Sequence, residues 1–198
     1  CPIDVGARSI SSYEAENADY TMKVYEGDTE YAYVENDENQ KQYGTSLEGT
    51  GVFRNVDGGL TKSGEWAFQF NGTAESKTKS TVTCLIAPAD TMVSAAGLTL
   101  KYSLYAVNDL GRYVFVDLLF DDGERLSDKM SGVKQSISTT GKWTDLTLEL
   151  SPSLAGSRIQ YVLVSYDHPA EGEFDAYIDD IILETTGTKK EMLSRSIT

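Results

Sequence analysis

The chain has little of what most enzymes are built around. It holds one histidine (His168), two cysteines and four prolines. A lone histidine makes no zinc cluster, and any Ser-His-Asp or Cys-His arrangement would have to pass through it. No nucleophile elbow occurs, and no EF-hand spacing is present. Acidic residues abound, 31 of them, so carboxylate pairs arise by number alone and point to no glycosidase site. The composition reads as non-catalytic. Cations are scarce. Seventeen Lys and Arg against 31 acids leave a net charge of -14. Such a field opposes nucleic acid, anionic membranes and sulfated or uronic polymers unless a basic patch outweighs it. The densest basic spot is Lys189-Lys190. No apolar run is long enough to span a bilayer. A neutral partner suits this charge.

The two cysteines say little about compartment. In "TVTCLIAP", Cys84 shares one strand face with Val82 and Ile86 and reads as a small core hydrophobe. Cys1 fits a chain boundary, the lipid-bearing cysteine of a bacterial lipoprotein, or a partner of Cys84. With no signal peptide ahead of it, the sequence reads as a mature chain or an excised piece.

What is present is period-two alternation. "EWAFQF" sets Trp66, Phe68 and Phe70 on one face and Ala67 and Gln69 on the other. "LTLKYSLYAV" alternates through Leu98, Leu100, Tyr102, Leu104 and Ala106. "RYVFVDLLF" is apolar on both faces, and "WTDLTLEL" points Leu146, Leu148 and Leu150 inward. "IQYVLVSY" and "FDAYIDDIIL" complete the series. Turn signals separate them, among them "DGG", "NGT", "NDLG", "DDGE" and "TTGK". In "FDDGERLSD", Asp122-Gly123 reads as a hairpin turn. Only "SPSLAGSR" suggests a helical turn, capped by Ser151 with Pro152 at its first position. Many short strands and almost no helix predict an all-β, two-sheet antiparallel sandwich. With 198 residues and 40% of them hydrophobic, one domain with a full core is expected. The sandwich is expected over 21-185, with 1-20 a leader or edge segment and 186-198 a linker or tail.

The ordered segments "VFVDLLFDDGERLSD", "GKWTDLTLEL", "IQYVLVSYDHP" and "FDAYIDDIIL" resemble the galactose-binding-like jelly rolls attached to bacterial glycoside hydrolases, many of them carbohydrate-binding modules. "VYEGD" (24-28) resembles that family's opening strand and "SGEWAFQFNGTA" (63-74) its next large strand. The resemblance spans roughly residues 21-185. It implies a non-catalytic module of a secreted or cell-surface bacterial protein, binding a neutral oligo- or polysaccharide and holding an attached catalytic domain near it. A structural or protein-interaction sandwich, or a stand-alone hydrolase, are the alternatives, since fold alone does not deliver function.

The same resemblance implies a structural calcium ion where the first and last strands meet, with Glu26 and Asp179 as ligands and Asp180 as a substitute. Calcium takes six to eight oxygen ligands, and neighbouring carboxylates are costly unless neutralised or solvated. The alternative is that one of the two aspartates faces solvent while the other accepts backbone N–H bonds. For the sugar, stacking needs planar rings beside hydrogen-bonding side chains. Tyr31, Tyr33 and Tyr43 flank the polar "VENDENQKQYG", and Asn108, Asp109 and Arg112 gather in "NDLGR". These six are the candidate ligand-binding residues. Tyr166, Asp167 and His168 form a third cluster, with Tyr166 expected to keep its hydroxyl in water. Trp66 is expected in the core, and Trp143 is assigned a structural place at the start of its strand.

Overall fold

A computed structural model describes residues 10-13, 15, 23-26, 29-32, 49-57, 60-75 and 81-185; the side chains of 23-26, 29-32 and 49-57, and those of Ile10, Thr81, Val82 and Leu85, are outside that description. Tyr33, Tyr43, Cys1 and residues 186-198 also lie outside it. The described strands are β1 (Ile10–Tyr13), β2 (Lys23–Glu26), β3 (Thr29–Ala32), β4 (Gly49–Asp57), β5 (Trp66–Ala74), β6 (Thr81–Met92), β7 (Leu98–Ala106), β8 (Val114–Phe120), β9 (Trp143–Glu149), β10 (Arg158–Asp167) and β11 (Gly172–Thr185). One sheet runs β4-β5-β11-β7-β9, with β1 also on β11; the facing sheet runs β6-β10-β8. Every pairing is antiparallel. The expected two-sheet sandwich is the fold observed. β2 and β3 pair with each other as a separate ribbon.

The alternation places the core. Leu98, Leu100, Leu104 and Ala106 on β7 and Phe174, Ala176 and Ile178 on β11 are buried against Val116, Leu118, Val162 and Val164. The sheets are joined through rings. Tyr166 on β10 stacks on Phe174 of β11 at 4.5 Å and 6°, and Phe70 of β5 meets Phe174 at 5.0 Å. β8 is buried along its whole length, as apolar residues on both faces require. Its Asp117, 1% exposed, accepts from the Ser127 amide at 3.0 Å, the Ser127 hydroxyl and the Leu118 amide. Burial still pushes its carboxyl above the ordinary aspartate value, although Ser127, Leu118 and nearby Arg125 pull it back.

Several local expectations change. On β5, Phe68 and Phe70 are buried, but Trp66 is only half-buried because it opens the strand; Ala67 and Gln69 of the opposite face are buried as well. Leu146 and Leu148 are half-buried because β9 lies at the sheet edge, while Leu150 is buried. The "DDGE" turn does form, with Gly123 at φ 84°. Its second arm contributes only the Leu119–Arg125 bridge before a short helix, Leu126–Lys129 (α1), so no hairpin follows. The Ser151-Pro152 turn forms as expected, Ser151 accepting from the Ser153 amide. Cys84 is a free, fully buried thiol pushed up to about 12 by desolvation.

Candidate functional site

The outward face of the large sheet carries an aromatic row. The register pairs Gln69 with Tyr177, Tyr177 with Tyr105, and Tyr105 with Trp143, so these four side chains cross β5, β11, β7 and β9 side by side. At about 4.8 Å per strand, the row spans roughly 14 Å. Tyr105 meets Trp143 at 5.6 Å and 61°, and Tyr177 at 6.4 Å and 84°. The three aromatic residues are half-buried. They are outward because their neighbours Leu104, Ala106, Ala176 and Ile178 are committed to the core.

Polar groups border the row on both sides. On one side Gln69 Nε2 donates to Asp175 Oδ1 at 3.0 Å. On the other, the register lines up Asp179, Ser103 and Asp145. Ser103 donates to Asp145 at 2.6 Å, and Lys62 Nζ lies 3.7 Å from the same carboxylate. Lys62 belongs to a turn over residues 60-64, closed by Thr61 Oγ1 donating to the Gly64 carbonyl. That turn rests on Asp179. The Asp179 Oδ2 accepts from the Lys62 amide at 2.9 Å and the Ser63 amide at 3.1 Å, and its Oδ1 from the Asp180 amide at 2.8 Å. The Ser63 hydroxyl donates to Asp180. Asp179 is thus 1% exposed although it lies on the outward face. Burial raises its carboxyl above the ordinary value and Asp180 adds to this, against the three N–H bonds.

The two aspartates stand at a seam. β5 pairs with β11 up to Ile178, β1 takes the same side from Ile181, and β7 shifts register between Asp179 and Ile182. Asp180 sits in the bulge at φ 52°, a left-handed conformation that Asp tolerates better than most residues. The calcium expectation meets a different chemistry at Asp179. Both Asp179 carboxylate oxygens face N–H donors, whose positive ends oppose a cation, so Asp179 as placed does not fit a calcium ligand. The opening strand differs too. β1, not "VYEGD", pairs with β11 because "ISSY" takes the side that β5 leaves, and Glu26 lies on β2 in the separate ribbon.

A second cluster closes one end of the sandwich. Here the loops of Arg112 and His168 meet. His168 stacks on Tyr113 at 3.5 Å and 8°, and the Arg112 guanidinium sits 5.1 Å from the same ring's centre. Arg112 pairs with Asp109 at 2.9 Å and donates to the Ile137 carbonyl at 3.1 Å. Lys134 pairs with Asp167. Asn108 donates to the Glu173 carbonyl and accepts from the Gly111 and Asp175 amides, at 2.9–3.1 Å. Tyr166, whose hydroxyl is expected in water, is instead buried in the Phe174 stack and donates to the Ala170 carbonyl; burial pushes its hydroxyl to about 12. Planar rings and charges here hold each other, which suits a latch between β7, β8, β10 and β11.

No protein-family model matches the chain, and no curated protein matches its sequence. Solved structures do match. Caldicellulosiruptor saccharolyticus CBM27-1, solved with mannohexaose, superposes with a TM-score of 0.53 at 10% identity, covering 91% of this chain and 98% of that one. The glycoside hydrolase domain structure of Endo-D from Streptococcus pneumoniae R6 gives 0.50 at 15% identity, over 75% of this chain and 22% of that one. A carbohydrate-binding module of the β-sandwich superfamily gives 0.47 at 17% identity, and the chain spans 54% of its length. The chain shares their β-sandwich fold.

In this β-sandwich, the residues singled out from sequence part company. Asn108, Asp109 and Arg112 do come together, beside Tyr113 and His168. Tyr31 lies on β3 with its side chain outside the described set, as are Tyr33 and Tyr43 altogether. From sequence alone Trp143 takes a structural place, and Tyr105 and Tyr177 are not among the candidates. Their signal was parity: each ring falls out of step with the apolar residues of its own strand.

Proposed function

We propose that the protein is a non-catalytic module that binds a neutral glycan on the outward face of the large sheet. The row Tyr177–Tyr105–Trp143 carries this reading. The rings pack edge to face, so the row offers apolar ring surface against which a sugar's C–H face can stack, and the polar groups on both borders can meet its hydroxyls. The acidic surface favours an uncharged chain over uronic or sulfated ones. In a secreted or surface-attached bacterial protein, the module would hold a linked glycan-active domain on its substrate, where effective concentration makes modest affinity sufficient. The earlier candidates, Tyr31, Tyr33 and Tyr43 with Asn108, Asp109 and Arg112, form the rival site.

Affinity electrophoresis over neutral polysaccharides, with mannohexaose calorimetry beside it, tests the reading. Tyr105→Ala and Trp143→Ala should each weaken retention by about five- to thirty-fold, equivalent to roughly 1–2 kcal/mol of stacking. Tyr43→Ala and Arg112→Ala should bind like the parent. The reverse pattern moves the site to the rival loops, and no retention of any neutral glycan leaves a structural sandwich.

A further inference from the structure

The turn over residues 60-64 lies along one border of the aromatic row, and a buried carboxylate holds its backbone. Asp179 stands two residues from Tyr177 on the same face of β11, as Ser103 does from Tyr105 and Asp145 from Trp143. This second row is parallel to the aromatic one. Ser103 and Asp179 are 4% and 1% exposed, on a face where Asp145 in the same row is open. The backbone of the turn lies over Asp179, and its Lys62 side chain reaches across to Asp145. We propose that Asp179 is a positioning residue of the binding face: its carboxylate mounts the 60-64 turn as a wall beside the aromatic row and sets Lys62 at the border where a sugar hydroxyl is met. The inference rests on reading that face as the glycan site.

The physical reasoning is one of alternatives. Lys62 is an otherwise flexible cation with its side chain 38% exposed, and its pair with the open Asp145 is worth little by itself. A long side chain held only by such a pair would spread over rotamers and offer a ligand no fixed donor. Two backbone N–H bonds to a buried carboxylate, with the Ser63–Asp180 hydrogen bond beside them, fix the Cα of residue 62. The side chain then starts from one place. Charge-assisted bonds in a site shielded from water are the strong kind. Directly after Asp179 the strand bulges and passes from β5 to β1, and there the Asp180 amide donates to Asp179 and the Asp180 carboxylate accepts from Ser63.

Two readouts decide it, and the first needs neither a variant nor a sugar. In the parent protein the amide protons of Lys62 and Ser63 should shift with pH on one common titration, with its midpoint above the ordinary aspartate value. The charged groups around Asp179 are Asp180, Lys62 and Asp145, so the Asp145 carboxyl is followed in the same spectra to tell the two apart. In Asp179→Asn, hydrogen exchange at Lys62 and Ser63 should quicken at least about tenfold, the size expected for losing roughly 1.4 kcal/mol of protection. Exchange in the paired stretch of β5 and β11 should stay as it was. Amides that ignore the titration, or exchange that quickens evenly along β5 and β11, overturn the proposal. The second readout uses the glycan retained best in the affinity screen. Lys62→Met and Asp179→Asn should weaken binding by similar factors, and the double variant no further than either alone. Losses that multiply would make Asp179 a plain support of the sheet. If no glycan is retained, the function reading fails, while the amide titration still decides whether Asp179 holds the turn.

Discussion

Replacing Phe174 by alanine should cost more stability than any surface change, and the structure says how much. Its side chain is 1% exposed. A buried Phe→Ala change typically costs about 3–5 kcal/mol through lost transfer energy and the cavity left behind. Phe174 also makes two ring contacts, with Tyr166 at 4.5 Å and Phe70 at 5.0 Å, and each such pair adds roughly 0.5–1.5 kcal/mol. The expected loss lies at the upper end of that range, about 5 kcal/mol. A domain of this size holds about 5–15 kcal/mol in all, so much of the fold's margin rests on this ring. Phe174→Leu keeps most of the volume and should lose only the two ring terms, about 1–3 kcal/mol. Urea denaturation followed by tryptophan fluorescence measures both. A double-mutant cycle with Tyr166→Ala should return a coupling of about 0.5–1.5 kcal/mol, because these rings are the stacked contact between the sheets. The aromatic row faces away, so Phe174→Leu should bind glycan normally. A loss below about 1 kcal/mol for the alanine variant, or zero coupling, would refute the placement of β10 against β11.

Other expectations follow from buried groups and tight contacts. Asp117 has its folded value raised above 3.8 by burial. The folded state therefore keeps a proton that the unfolded chain has released, and stability from this group falls as pH climbs from about 4 through the raised value. Asp117→Asn, which keeps an acceptor for Leu118 and Ser127, should gain on the parent between pH 4 and 7 in urea melts; a pH-independent difference refutes this. A Cβ on Gly111 would sit 2.0 Å from the Asp175 carbonyl oxygen, so Gly111→Ala should lower stability by at least about 1–3 kcal/mol, and an unchanged melting temperature would contradict the packing of the Leu110–Tyr113 turn on β11. Melting in millimolar calcium should match melting in excess chelator, since the Asp179 oxygens face N–H donors; a calcium-dependent rise would put a metal on Glu26 or Asp180 after all.

The strands were legible because alternation is local. β7 and β9 can be read directly from "LTLKYSLYA" and "WTDLTLE", and β8 announces itself as buried on both faces. The proposed binding face was not legible for the opposite reason. Tyr105 and Trp143 are 38 positions apart in the chain, and only the β7–β9 register makes them neighbours. Asn108 shows the same limit. It looks like a free polar loop residue, yet its amide is spent on Glu173 and Asp175, more than 60 positions away. Arg112 reads as a loose cation and is committed to Asp109 and Ile137. The aspartate pair was visible as an anomaly within a strand pattern, and the bulge that explains it depends on three other strands meeting at β11.

β11 sits in the middle of the large sheet but is the last of the described strands in the chain. During synthesis β4 and β5 emerge early and β7 and β9 later, as two ribbons with no direct pairing between them. Each presents an open edge until β11 arrives to occupy both. A nascent chain halted before Gly172 therefore displays two unpaired strand edges, the feature that drives neighbouring chains to pair wrongly. The sheet closes in one late event, when a single segment zips the two ribbons together over long sequence separations, a slow step by contact order. The strand that carries Tyr177 and Asp179 is also the one that completes the sheet, so a chain that has not finished folding lacks the proposed binding face.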